Sequence, residues 1–387
     1  MEIGKDYFVI FLAMASLVLL NSCGGGSDSG TSPLTIERIQ ASGGRVAWYK
    51  GTAANHNLIA FDAVYPTDNL LQNTEVFIMN PDGTGVACVT CSDTVIPKGF
   101  IGQPEWHPDG QHLVIQAENA NSQHTRYNHL AWGINQDLWI IETDGTGAEK
   151  IYDNSADLNH AALHPHFNAD GTRLIFSERI ATGVVIPALI GVTPGGENPW
   201  AGWQIHIADY NPTGVGTGKL TNHNILYGSD PPPNRGFYET HGFFNSQILY
   251  SATAGGQAYV DDIYSANLDG TGAVNLTNSA TTWDEHGAYS PSGNSFVFIS
   301  SRGDPNWQAP ADNASTLRTE LYLQRGGPIQ QLTSFNANGD ADKRYLTSDF
   351  EWDRTGRRIV VQVAPVDDLT GAAYPPEIWL ISFPRAQ

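Results

Sequence analysis

The chain has 387 residues, 41% of them hydrophobic, with 10 Trp, 40 Gly and 22 Pro. That composition supports a large core built from short strands and tight turns. Twenty Lys and Arg against 40 Asp and Glu give a net charge of −20, a surface that repels phosphate backbones and argues against nucleic acid as a partner.

The first element is the apolar run Phe8–Leu20 (FVIFLAMASLVLL). It is shorter than the ~20 residues a membrane span needs and suits the hydrophobic core of a signal peptide. It runs into Leu20-Asn21-Ser22-Cys23, which resembles the lipobox of bacterial lipoproteins. The resemblance implies that Cys23 is lipidated and becomes the mature N-terminus. Residues 1–23 are therefore read as a lipoprotein signal peptide and residues 24–33 (GGGSDSGTSP) as a flexible tether. Gly24, not Asp, follows the cysteine, and in that family this favours the outer membrane. The expected location is the cell envelope, facing the periplasm, with membrane contact through the lipid alone.

Residues 34–387 carry a repeat. Each unit has an inner strand, a tight turn, a second strand rich in Val, Ile and Leu, a variable stretch, a third strand, another tight turn and a short closing strand. Second strands are HLVIQA from His112, RLIFS from Arg173, QILYS from Gln247, SFVFIS from Ser295 and RIVVQV from Arg358. Third strands are EVFIM from Glu75, DLWII from Asp137, QIHIA from Gln204, DIYSA from Asp262, ELYLQ from Glu320 and EIWLI from Glu377. The linking turns HPDG, NADG, SPSG, DRTG, NPDGTG, TDGTG and LDGTG supply the positive φ that hairpins require. Their spacing fits hairpins and not calcium loops. Cys88 and Cys91, in CVTC, are expected to form a local disulfide in an oxidising compartment.

Six units emerge, with one irregularity. The last ends at its third strand, whereas LTIERIQ from Leu34 looks like a fourth strand with no third before it. The N-terminal strand is expected to complete the C-terminal unit, closing a ring and removing open sheet edges. The predicted fold is an all-β, six-bladed β-propeller, expected to be monomeric. PEWHPDGQHLVIQA with QDLWIIETDGTG, and AYSPSGNSFVFISS with TELYLQ, resemble the WD-like propeller repeats of the TolB family. The resemblance covers roughly residues 34–387. It implies the fold and leaves function open, since related propellers serve as scaffolds, peptidase domains and lyases.

The loops between second and third strands are long, and all lie on one propeller face, where binding sites are usually carried. Aligning the units on the aromatic that closes each inner strand (Trp106, Phe167, Phe244, Tyr289, Trp352) sets Gln103, His164, His241, His286 and Asp349 in one column. Trp48, aligned less securely, adds Arg45. Inner strands line the channel and start at the long-loop face, so this column predicts a ring at the channel mouth. Imidazole and carboxylate ligands suit a divalent ion, manganese, iron, nickel or zinc, with Gln103 as an oxygen ligand or water anchor. A metal-free polar ring is the alternative.

The stretches LHPHF and DEHGAY are also similar to those of oligogalacturonate lyases, propellers with a manganese site in the channel mouth. That resemblance implies a metal-dependent β-elimination from uronate-containing oligosaccharides. In that reading His241, Glu239 and Arg235 are candidate catalytic residues, and Glu239 and Glu285 serve as bases or orient His241 and His286. Arg126, Arg302 and Arg318 are candidate anion clamps, and Trp132, Trp203 and Trp307 candidate stacking platforms for sugar rings. No Gly-x-Ser-x-Gly elbow is present, which argues against a peptidase. Two functions remain: a lipid-anchored module binding a partner protein or an envelope or glycan ligand through the long-loop face, and a metal-dependent carbon–oxygen lyase.

Overall fold

The computed structural model describes residues 33–387 except 53–56, 65–72, 125–129, 131–132, 158–159, 181–201, 228–236, 254–259, 306, 308–315, 340–341 and 369–372. Six four-stranded antiparallel sheets follow one another along the chain. Strand β1 (Thr35–Gln40) stands apart from its sequence neighbours. Blade 1 is β2 (Val46–Trp48), β3 (Ile59–Val64), β4 (Thr74–Met79) and β5 (Ala87–Cys88). Blade 2 is β6 (Ile101–Trp106), β7 (His112–Glu118), β8 (Gln136–Glu142) and β9 (Glu149–Tyr152). Blade 3 is β10 (Ala161–Phe167), β11 (Arg173–Arg179), β12 (Trp203–Tyr210) and β13 (Leu220–Tyr227).

Blade 4 is β14 (Tyr238–Phe244), β15 (Gln247–Thr253), β16 (Asp261–Asn267) and β17 (Val274–Asn275). Blade 5 is β18 (Asp284–Tyr289), β19 (Phe296–Ser300), β20 (Glu320–Gln324) and β21 (Gln330–Gln331). Blade 6 is β22 (Lys343–Trp352), β23 (Arg358–Asp367) and β24 (Glu377–Ser382). Its outermost strand is β1, paired antiparallel with β24 from Thr35 opposite Ser382 to Gln40 opposite Ile378. The ring is a six-bladed propeller closed by its N-terminal strand, as the unpaired LTIERIQ segment predicts.

Each blade is apolar on both faces because it packs between two others. Ala47 and Val76 of blade 1 share a cluster with Ile101 and Leu113 of blade 2. Val114 and Leu138 meet Leu174 and Phe176 of blade 3, and Ile175 and Ile205 meet Ile248 and Tyr250 of blade 4. Ile263 then meets Phe296 and Phe298 of blade 5, and Val297 and Leu321 meet Ile359 and Val361 of blade 6. Val360 and Ile378 of blade 6 return to Ile59 and Phe61 of blade 1. The core is thus a closed circle of sheet-on-sheet contacts around a central channel.

The closing aromatics peg neighbouring blades together. Trp106 donates its indole N–H to the Ala47 carbonyl (3.2 Å), and Trp352 does the same to Ala288 (3.4 Å). The Asp-Gly-Thr turns are self-capped: Asp82 Oδ1 accepts from the Thr84 N–H (3.0 Å) and hydroxyl (2.6 Å), and Asp144 and Asp269 repeat the pattern. Their carboxylates are committed to the turn. Cys88 and Cys91 are joined in a disulfide, with Cα atoms 5.7 Å apart.

Candidate metal centre at the channel mouth

The six innermost strands line the channel, and five of them break register at the same level. The slips fall between Gly102 and Glu105, Leu163 and His166, Thr240 and Gly242, Glu285 and Gly287, and Thr347 and Phe350. These are β-bulges, and the residues they contain include Gln103, His164, His241, His286 and Asp349. A bulge adds a residue to one strand and re-aims its side chain. Gln103, His164 and His286 adopt left-handed backbone, with φ of 53°, 50° and 45°, a conformation that costs a non-glycine residue roughly 1–2 kcal/mol.

Local sequence explains the break. The residue after the column position is Pro104, Pro165, Gly242 or Gly287. Proline cannot donate to the ladder, and glycine tolerates the bend. Backbone N–H groups freed by the bulges are taken up by polar side chains on the second strand of the preceding blade. Gln103 N–H donates to Asp62 Oδ2 (3.0 Å), His164 N–H to Gln116 Oε1 (3.0 Å) and Thr240 N–H to Ser177 Oγ (2.9 Å). These buried partners hold the ring at one height.

All five column residues, with Arg45, line one cavity of about 100 Å³ that opens at the channel mouth. His164 is its centre. Its Nε2 lies 2.9 Å from Glu239 Oε1 and 3.0 Å from Gln103 Nε2, and its Nδ1 lies 3.4 Å from His286 Nε2. His286 Nε2 is 3.8 Å from Glu239 Oε1 and 3.4 Å from Asp349 Oδ1. His241 stacks obliquely on His286, ring centres 4.7 Å apart, and its Nε2 is 2.5 Å from Ser251 Oγ. Asp349 is ion-paired to Arg45 through its other oxygen.

The electrostatics divide these groups. Burial holds the His164 and His241 rings well below the usual imidazole range, with neighbouring His286 adding to the effect in both. Burial also opposes charge on His286, but Glu239 and Asp349 beside it hold its ring well above that range. Burial and then the Glu285 carboxylate push Glu239 well up. Asp349 lies well below the carboxylate range: burial works against its charge, and Arg45 and His286 overcome it.

His164, Glu239 and His286 form the donor set in which one atom from each lies within 4.8 Å of the others. Two ligands about 2.1 Å from an ion stand roughly 3.0–3.4 Å apart at right or tetrahedral angles, and the 2.9 and 3.8 Å separations here bracket that span. Behind the donor atoms, His286 Nδ1 stands 3.8 Å from Glu285 Oε2, and Glu239 Oε2 and His241 Nδ1 are buried without hydrogen-bond partners. His164, Glu239 and His286 thus offer a divalent ion two imidazole nitrogens and a carboxylate oxygen, a donor set suited to it.

Further along the channel, Lys50 Nζ is 2.6 Å from Glu351 Oε1 and His166 Nδ1 is 3.3 Å from Glu105 Oε2. This second tier is absent from the sequence-derived column, although Glu105, His166 and Glu351 each follow a column position by two residues. Of the loop residues, Arg302 is bound to Asp284 (2.6 Å) and Arg318 to Asp368. Trp203 and Trp307 are 1% and 7% exposed, packed edge-on against Phe237 and Trp283. All four are engaged within the protein. Cys23, Arg126, Trp132 and Arg235 lie outside the described residues.

No family model matches the chain and no curated protein matches it. Among solved structures it is similar to TolB from Acinetobacter baumannii, with 13% identity and a TM-score of 0.49 over 85% of this chain and 64% of that one. It is similar also to an oligogalacturonate lyase in complex with manganese, with 11% identity and a TM-score of 0.47 over 92% and 95%. Prolyl oligopeptidase B from Galerina marginata gives 12% and 0.45 over 87% and 42%. The chain spans less than two thirds of the TolB and oligopeptidase chains. At these identities the likeness is one of fold.

Proposed function

We propose that this chain is a lipid-anchored envelope propeller that holds a divalent metal ion on His164, Glu239 and His286 and binds an anionic glycan at the channel mouth. One observation carries the reading: blades 3, 4 and 5 bring three donor side chains to one buried point. His164, Glu239 and His286 would hold the ion, which would supply a Lewis-acidic centre beside the cavity for a uronate carboxylate. The anchor rests on Phe8–Leu20 and Cys23. Among the described residues no helix is long and apolar enough to cross a membrane.

Metal analysis of the purified chain, with thermal shift in manganese or zinc, tests the reading. A bound ion stabilises only the folded state and raises the melting point. The His164→Ala, His286→Ala double variant should hold one equivalent of metal fewer than the parent. Equal metal content in variant and parent would end the proposal. Oligogalacturonides should raise the melting point of the metal-loaded parent alone.

A second reading, a metal-dependent lyase on such oligosaccharides, is favoured by His241. Its ring is held neutral by burial, its Nδ1 has no partner, and it lies against His286. A neutral imidazole at this point of the cavity wall is suited to accept the proton next to a uronate carboxyl. A divalent ion would supply the acidification of that proton. Unsaturated products from a uronate panel, abolished in His241→Ala, are expected; turnover unchanged by that substitution would exclude the role.

A further inference from the structure

The HPDGQH stretch that joins β6 to β7 carries more chemistry than a hairpin needs. It sits at the other end of β6 from Gln103, four residues and roughly 13 Å away at about 3.3 Å per residue. Here His107 and His112 converge on one carboxylate. His107 Nδ1 is 3.0 Å and His112 Nδ1 2.7 Å from Asp109 Oδ2. Asp109 Oδ1 is occupied separately, accepting the N–H of Gln111 (2.8 Å) and of His112 (3.2 Å). The turn therefore spends one oxygen on its own backbone and presents the other to both rings.

The tautomer of His107 decides what this means. Its Nε2 lies 3.3 Å from the Gly171 carbonyl of blade 3. A carbonyl only accepts, so Nε2 carries the proton and a neutral ring keeps its lone pair on Nδ1. That lone pair faces Asp109 Oδ2, acceptor against acceptor, with one long contact from the Asp109 N–H at 3.3 Å. A cation between Nδ1 and Oδ2 would convert this contact between two acceptors into an attractive one. A backbone carbonyl behind the far nitrogen is the usual support of a metal-ligating histidine.

The support is built in. Gly171 has φ of 72°, and a Cβ there would stand 2.4 Å from His107 Nε2. The ring is also braced edge-on by Phe167, centres 4.8 Å apart, and contacts Tyr210 at 5.4 Å. His112 and Asp109 have about a third of their side chains exposed (35% and 34%), so a fourth coordination position opens to solvent. All three donor atoms lie within 4.8 Å of one another. Tetrahedral zinc ligands stand about 3.3 Å apart, so binding spreads this set by a few tenths of an ångström, a shift open to the half-exposed His112.

We propose that His107, Asp109 and His112 form a second, independent site for a divalent transition metal of the zinc class, on the propeller face opposite the channel mouth. The site does not depend on the channel reading, and its test separates the two. The chain, carrying no polyhistidine tag, is titrated with Zn²⁺ against a chromophoric chelator in the His164→Ala, His286→Ala background. One zinc per chain is expected there, with affinity falling at least tenfold on adding His112→Asn or His112→Gln. Both substitutions keep a hydrogen-bond donor toward Asp109 and alter a partly exposed side chain, and circular dichroism confirms the fold. No zinc in the double variant, or unchanged affinity in both His112 variants, overturns the proposal.

Discussion

Arg45, on the approach to β2, and Asp349, in the bulge of β22, form an ion pair across the joint where the ring closes. Their side chains are 14% and 13% exposed, and Ser348 Oγ touches both, at 2.8 Å from Arg45 and 2.9 Å from Asp349. Removing one partner of a buried pair strands the other charge at a cost of about 3–5 kcal/mol, whereas replacing both by apolar groups costs far less. Arg45→Met should therefore lower the urea midpoint sharply, and Arg45→Met with Asp349→Leu should recover most of the loss. A single variant within about 1 kcal/mol of the parent would show that the pair is solvated.

The bulges make a prediction that runs against ordinary strand behaviour. Glycine in a strand interior is worse than alanine by roughly 0.5–1 kcal/mol. At His286, whose φ is 45°, the order should reverse, because an L side chain there carries about 1–2 kcal/mol of strain. His286→Gly is expected to be more stable than His286→Ala, with Glu285→Gly less stable than Glu285→Ala as the in-register control. Chemical denaturation of the four variants decides it, and the same order at both positions would contradict the assigned backbone.

Much of this architecture is legible in the sequence. Alternating strands and Asp-Gly turns repeat at even spacing, and the orphan LTIERIQ segment is placed against EIWLISF by the need to close an edge. The column from Gln103 to Asp349 is legible because an aromatic marks each register, and even the less secure Arg45 falls beside Asp349. The bulge leaves a trace as well: Pro or Gly follows the column residue in four blades. What the sequence hides are partnerships made across space. Glu239 stands among the donors only because β14 lies beside β10 and brings it to 2.9 Å from His164 of another blade. Arg302 and Arg318 read as free anion clamps until Asp284 and Asp368 fold against them. Trp203 reads as a platform until Phe237 covers it.

Asp62 supplies a pH test. It links β3 to the Gln103 N–H, and burial pushes its carboxyl up to about 7, against the lowering effects of that hydrogen bond and of Arg45. A folded-state value above the unfolded one means that the folded protein holds the extra proton. Stability is full below about pH 4 and is lost as pH rises to about 7, at no more than about 1.4 kcal/mol per pH unit. Melting points across pH 4–8 should fall through that window, and Asp62→Asn, which keeps an acceptor for Gln103, should flatten the fall. Parallel curves for the two proteins would assign the pH dependence elsewhere.

The closing strand offers the sharpest test of the ring. Strand β1 covers the outer edge of β24, while Leu34 and Ile36 add to the blade 5–6 cluster and Ile39 to the blade 6–1 cluster. The Arg38–Glu377 ion pair on this seam is exposed on the arginine side (42%), so Arg38→Ala should cost less than about 1 kcal/mol. Deleting residues 33–42 is a different matter, because it uncovers the backbone groups of β24 and a strip of its apolar neighbours together. An unpaired edge of this kind recruits another strand. Light scattering should find the truncated chain in larger assemblies than the parent, and a peptide spanning residues 33–42 should return it to the parent's size by filling the vacant edge. A truncated chain that keeps the parent's size and melting point would mean that blade 6 is complete without β1, and the ring would then be held by its side-chain interfaces alone.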